Sequence, residues 1–150
     1  MRMVQNFGLA LIVAVAMMAG CKSDPAANIT GATGTEPVEI LKSHAGSDPV
    51  FKRDWTLINE KVEAYAAVDT ALEPDYATQT VVVISLGEVP TGGFTMTALG
   101  AQRKGPDLFV QFEAKLPAAD AVVTQATEFP YVAILIPKFE GTIVHLEPQD

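Results

Sequence analysis

Residues 108–115 read Leu-Phe-Val-Gln-Phe-Glu-Ala-Lys, with Leu108, Val110, Phe112 and Ala114 alternating strictly against Phe109, Gln111, Glu113 and Lys115. A two-residue period of this length fits a half-buried strand, because successive side chains of a strand point to opposite faces. Phe94, Met96 and Ala98 alternate in the same way with Thr95, Thr97 and Leu99. The run Thr-Val-Val-Val-Ile-Ser-Leu over 80–86 is β-branched and too short for a helix, so it predicts a central strand bounded by Gly87. Residues 131–136 predict a further buried strand closed by Pro137, with a polar strand over 121–127 and a short last one over 142–146. Turn signals fall at Pro90-Thr91-Gly92-Gly93, Gly105-Pro106-Asp107, Pro117-Ala118-Ala119-Asp120, Phe129-Pro130 and Glu140-Gly141.

One segment reads differently. Asp48-Pro49 is a helix-start pair, Asp capping and Pro at the first helical position. Phe51, Trp55, Ile58 and Val62 then recur at i, i+4, i+7 and i+11, one stripe of a 3.6-residue helix. Trp55 on such a stripe is a core residue, with a ligand-stacking or partner anchor as the alternative. The expected fold is mainly β or α+β: a small antiparallel β-sandwich or sheet with one N-terminal amphipathic helix packed on it.

The N-terminus has another purpose. Arg2 precedes an uncharged run from Phe7 to Gly20, whose 14 residues fall short of the roughly 20 that span a bilayer, the plan of a secretory signal. Met18-Ala19-Gly20-Cys21 resembles the lipobox of bacterial lipoproteins, which implies cleavage after residue 20 and diacylglycerol on the Cys21 thiol. Several acyl chains at about 0.8 kcal/mol per buried methylene make a stable anchor. Lys22 stands where an Asp would resemble an inner-membrane retention signal, so the expected location is the outer membrane of a bacterial cell envelope. Ser23–Thr35 carries a single large apolar residue, Ile29, and reads as a flexible tether. The expected organisation is a signal peptide over 1–20, lipidated Cys21 and tether over 21–47, and a β-rich domain over 48–150.

Charge and chemistry-bearing residues exclude more than they include. With 10 Lys and Arg against 18 Asp and Glu, the net charge of −8 argues against nucleic acid, whose affinity comes from basic groups neutralising phosphates. Cys21 is the only thiol, and the anchor would consume it. The two histidines, His44 and His145, lack metal-pair spacing; the first reads as a solvated residue and the second as a sheet-face residue. None of Ser23, Ser43, Ser47 and Ser85 sits in a Gly-x-Ser-x-Gly elbow. Glu88 and Glu128 sit near two turns, but among 18 acidic residues some pair always looks suggestive. The sequence therefore predicts no enzyme, no catalytic residue, no metal and no cofactor.

What remains is the stretch Glu88, Val89, Pro90, Thr91, Gly92, Gly93 and Phe94, between two predicted strands. Two readings stand: a hairpin turn, or a low-bulk tip that enters a partner backbone-first, its proline lowering the ordering cost. Together with Pro74-Asp75-Tyr76, Val81–Leu86, Thr127-Glu128-Phe129-Pro130-Tyr131 and Ile136-Pro137-Lys138, it resembles the C-terminal domain of PrcB-type lipoproteins, over roughly residues 48–146. The family usually carries Tyr where this chain has Phe94. The resemblance implies a secreted, often lipid-anchored, non-catalytic β-rich module, in a family named for a protease-complex subunit. Asp75 is expected to cap the turn before the strand. The loop alone also resembles the Pro-Thr-Thr-Gly-Tyr loop of chagasin-type cysteine-peptidase inhibitors, with Val89 and Gly92 departing from that pattern. The functional expectation is a lipid-anchored protein-binding module, with a protease as one candidate partner. The alternatives are a peptidase inhibitor using Pro90–Phe94 and a purely structural envelope lipoprotein.

Overall fold

The computed structural model describes residues 34–149. The signal read over 1–20, the Cys21 attachment point and most of the Ser23–Thr35 tether lie outside the described residues. The described residues form eight strands, β1 (Glu36–Val38), β2 (Lys42–Ser47), β3 (Asp54–Ile58), β4 (Gln79–Ser85), β5 (Thr95–Lys104), β6 (Asp107–Lys115), β7 (Pro130–Pro137) and β8 (Ile143–Gln149), and one α-helix, α1 (Ala66–Leu72). They form two four-stranded sheets, ordered β1-β5-β6-β8 and β2-β7-β4-β3. All neighbours are antiparallel except β6 and β8, which run parallel.

The sheets face each other across a core built by alternate residues. Val82 and Ile84 of β4 and Val132, Ile134 and Ile136 of β7 meet Met96 and Ala101 of β5, Leu108, Val110 and Phe112 of β6, and Val144 of β8. The intervening residues of β4 and β7, Val81, Val83, Tyr131, Ala133 and Leu135, point the other way into a second cluster closed by Phe51, Ile58, Val68 and Leu72. Strands β4 and β7 are thus buried on both faces, the condition under which a strand reads as a continuous apolar run. Strand β6, covered on one face only, keeps the strict alternation of its sequence. In β5 the register shifts between Ala98 and Gly100, so buried Met96 and half-buried Ala98 are followed in phase by Ala101 while the extra residue, Leu99, faces solvent.

The sequence-predicted helix starting at Asp48 does not form. Asp48-Pro49 makes a single turn, its carboxylate accepting from Val50 N–H at 2.9 Å and its carbonyl from Phe51 N–H at 3.2 Å. Asp54–Ile58 then pairs with β4 over five residues, Trp55 and Leu57 packing toward the sandwich core and Ile58 into the second cluster. An open edge of β4 offers a hydrogen-bonded ladder and two apolar faces, which a lone stripe cannot match. Trp55 is accordingly a half-buried core residue. The helix lies later, where Val68 and Leu72, four apart, seat it on the outer face of the second sheet. At seven residues it depends on that packing.

Three further expectations change. Strands β1 and β2 lie inside the 21–47 span assigned to the tether, because each finds a sheet edge to join. Residues 121–127 form no strand; their backbone turns toward the 86–94 loop instead. His44 is not freely solvated: it lies in β2, half-buried, its ring 6.1 Å from that of Tyr131.

Below the helix, Asp75 caps the turn into β4 through Ala77 N–H at 3.1 Å and Thr78 Oγ1 at 3.0 Å, as its sequence predicts. Tyr76 donates its hydroxyl to Asp69. Burial, with the Asp69 carboxylate beside it, pushes the Tyr76 phenol well above its ordinary value, and burial raises Tyr131 as well. A raised tyrosine keeps its proton in the folded chain after the unfolded chain has lost it. Its contribution is therefore fully present below about pH 10, the unfolded tyrosine value, and is lost as pH rises above it. Urea midpoints are expected to fall above that pH, and Tyr76→Phe should flatten the fall without abolishing it, since Tyr131 remains. Equal slopes in both proteins would remove Tyr76 from the alkaline limb.

Candidate functional site

Strand β4 ends in Ser85, a buried hydroxyl that accepts from Gly87 N–H at 3.0 Å and reaches the carbonyls of Pro130 and Phe51 at 3.2 and 3.3 Å. This fixes the departure of the chain from the sheet. Gly87 turns with φ +74°, and a β-carbon there would stand 2.8 Å from Arg53 Cβ. The segment that follows is no hairpin: β4 and β5 belong to different sheets, so Leu86–Phe94 crosses one end of the sandwich.

The crossing is strapped to a second loop. Val89 and Glu128 exchange backbone hydrogen bonds of 2.8 and 3.0 Å, and Gly92 N–H donates to the Thr124 carbonyl at 2.9 Å. The two glycines exist for this contact. A β-carbon on Gly92 would meet Glu128 Oε1 at 2.6 Å; on Gly93, which has φ +89°, it would meet Val123 Cγ1 at 2.8 Å and Pro117 Cβ at 3.1 Å. Gly93→Ala is expected to cost about 1–3 kcal/mol, from overpacking plus an unfavourable backbone conformation. An unchanged urea midpoint would show that the two loops yield freely.

The predicted site residues therefore divide. Val89 and Gly92 are buried and structural. Glu88, Pro90 and Gly93 are exposed, and Thr91 and Phe94 are half-buried. Phe94 lies against Met96, Pro130, Gly46 and Glu128 in a groove of about 210 Å³ at the mouth of the sandwich, between β2 and β5. Sequence reasoning missed the companion loop. In that loop Leu116 is 75% exposed and Val122 fully so. The signal was present in Leu116-Pro117 and the small apolar residues after it, but a strand reading of 121–127 placed Val122 and Thr124 on a sheet.

Acidic side chains predominate in the two loops themselves, with Arg53 beside Gly87 and Lys115 opposite Thr95 at their flanks. From Leu116 to Pro137 there is no Lys or Arg, while Glu88, Asp120 and Glu128 stand in the two loops. The other singled-out groups lie elsewhere. His145 stacks on Phe109 with 4.4 Å between ring centroids and pairs with Asp107 at 3.0 Å, on the outer face of the first sheet. Among the described residues no three His, Cys, Asp or Glu stand together as a metal-binding group, and no helix is long and apolar enough to cross a membrane.

Residues 80–137, from the second residue of β4 to the end of β7, match the family model described as PrcB C-terminal. The match takes in both central strands, the crossing loop and the strap. No curated protein and no solved structure matches the chain.

Proposed function

Because residues 80–137 match the PrcB C-terminal family model, we propose that the chain is a lipid-anchored protein-binding module of a bacterial cell envelope, an accessory or regulatory subunit for an envelope protease complex. The observation that carries this reading is the strapped loop pair. Glu88, Pro90 and Gly93 face solvent from a segment held by three backbone hydrogen bonds and two glycine contacts, so little ordering entropy is lost on binding. The lipobox-like Met18–Cys21 and the polar tether after it support an anchored domain held clear of the lipid. Thirteen tether residues would reach about 20 Å on average.

A cysteine-peptidase inhibitor has less support. Backbone-first insertion needs a free tip, whereas Gly92 is buried against Thr124 and Glu128. The test is cross-linking from native membranes, comparing the unmodified chain with a folded Pro90→Ala, Thr91→Ala, Phe94→Ala variant. Proteins held by the first and lost by the second would support the loop as a recognition surface. Equal capture by both would return it to a purely structural part.

A further inference from the structure

The open side of the sandwich carries more than a loop. The hydrogen-bond parity of β7 can be read directly: Pro130 C=O accepts from Leu86 on the β4 side, while Phe129 C=O accepts from Asp48 on the β2 side. Even-numbered residues of β7 thus serve β4 and odd-numbered ones serve β2. In β2 the partners of those odd residues are Lys42, His44 and Gly46, so the N–H and C=O groups of Ser43, Ala45 and Ser47 point away from the sheet. No strand among the described residues pairs with that edge.

Across the groove the same vacancy recurs. Strand β1 covers only Ala101–Arg103 of β5, and among the described residues no strand pairs with Thr95–Gly100 on that side. The two edges therefore flank one groove, whose lining includes Ala45–Ser47 of β2, Thr95 and Met96 of β5, Phe94 and Glu128. The inner-facing side chains of β2, Ser43, Ala45 and Ser47, are small and exposed, so the mouth is not filled from within. Natural sheets blunt such edges with proline, bulges or charge; β1 carries Pro37 and β8 carries Pro148, whereas β2 has neither proline nor bulge, and its one charged residue, Lys42, stands at its start and pairs with Glu73 at 3.2 Å.

We propose that β2 is a strand-addition site, and that its occupant is an extended segment of a partner protein with an apolar side chain for the Phe94 groove and a Lys or Arg for Glu128. This deepens the protein-binding reading and rests on it. Main-chain bonding to Ser43, Ala45 and Ser47 supplies affinity, and alternate side chains entering the groove supply selectivity. The charge requirement follows from Glu128, the one charged side chain lining the groove, with no Lys or Arg in that lining and Asp48 directly after the strand. A second copy of the chain fits less well, because a paired β2 would offer the groove only serine and alanine.

The probe is a phage-displayed library of random peptides, panned on the full chain purified from membranes in detergent. Recovered peptides are expected to alternate apolar residues and to carry a basic one. They should slow hydrogen exchange over residues 42–47 and lose about tenfold or more in affinity on Ala45→Pro and on Glu128→Lys. Ala45→Lys, which leaves the backbone intact and places a charge at the mouth, serves if the proline variant fails to fold. Binders with no shared pattern, or ones indifferent to both Ala45 variants, overturn the site. So does a dimer abolished by Ala45→Lys, which gives the edge to a second copy. Membrane cross-linking separates the two levels: capture lost with the loop variant but kept with Ala45→Lys defeats the strand-addition site alone. Capture unchanged by either variant defeats the protein-binding reading with it.

Discussion

Ile134→Ala is expected to destabilise the domain by about 4 kcal/mol, within the 2–5 kcal/mol typical of buried Ile or Leu truncations. Ile134 is fully buried at the centre of β7, opposite Val82 in the ladder and inside the cluster that joins the two sheets. Its neighbours cannot collapse into the space, because β7 is hydrogen-bonded on both edges and packed on both faces. The lost contacts and the cavity therefore add. Against a whole-domain stability of about 5–15 kcal/mol, one such change brings the chain near unfolding. The check is urea unfolding followed by Trp55 fluorescence, since that side chain packs against the same core. A lower midpoint with unchanged slope is expected; a shift under about 1 kcal/mol would mean that the sandwich interior relaxes and is not close-packed.

Phe51→Ala is expected to cost about 3–5 kcal/mol, although Phe51 belongs to no strand or helix. Its ring is 1% exposed, stacks on Tyr65 at 5.3 Å and leans on Tyr131 at 4.8 Å. It thereby joins the segment before the helix to the outer face of β7, and removing it leaves α1 without part of its floor. A helix of seven residues has no stability of its own to fall back on. Hydrogen exchange of 66–72 should accelerate more than that of β6. Uniform acceleration would show that the helix layer and the sandwich open as one unit.

Much of the sandwich was legible because local pattern and tertiary environment agree there. Strand β6 alternates strictly, and it faces core on one side and solvent on the other. The runs in β4 and β7 are apolar throughout, and they are covered on both sides. The helix was misplaced because Phe51, Trp55, Ile58 and Val62 satisfy a helical stripe, although Leu57, between two stripe residues, already fits a strand better. The true helix announced itself through alanine content and the Pro74 that follows it, but with only two buried residues it has almost no stripe. The companion loop at 116–128 could not be joined to the crossing from its local pattern, because its partners there are Val89 and Gly92, which lie far from it in sequence.

By itself the sequence determined the local events: which runs extend, where the chain turns, and where a small-residue loop interrupts two strands. Side-chain period, proline, glycine and β-branching act within a few residues, so they can be read without a fold. Only the tertiary structure decided which sheet each strand joins, that β8 lies parallel to β6, that the Pro-Thr-Gly-Gly segment is a strapped crossing, and that no strand among the described residues pairs with the outer edge of β2. Those outcomes depend on hydrogen-bond partners and covered faces supplied by residues up to 93 positions away, as with Lys42 and Leu135, and no local period encodes them.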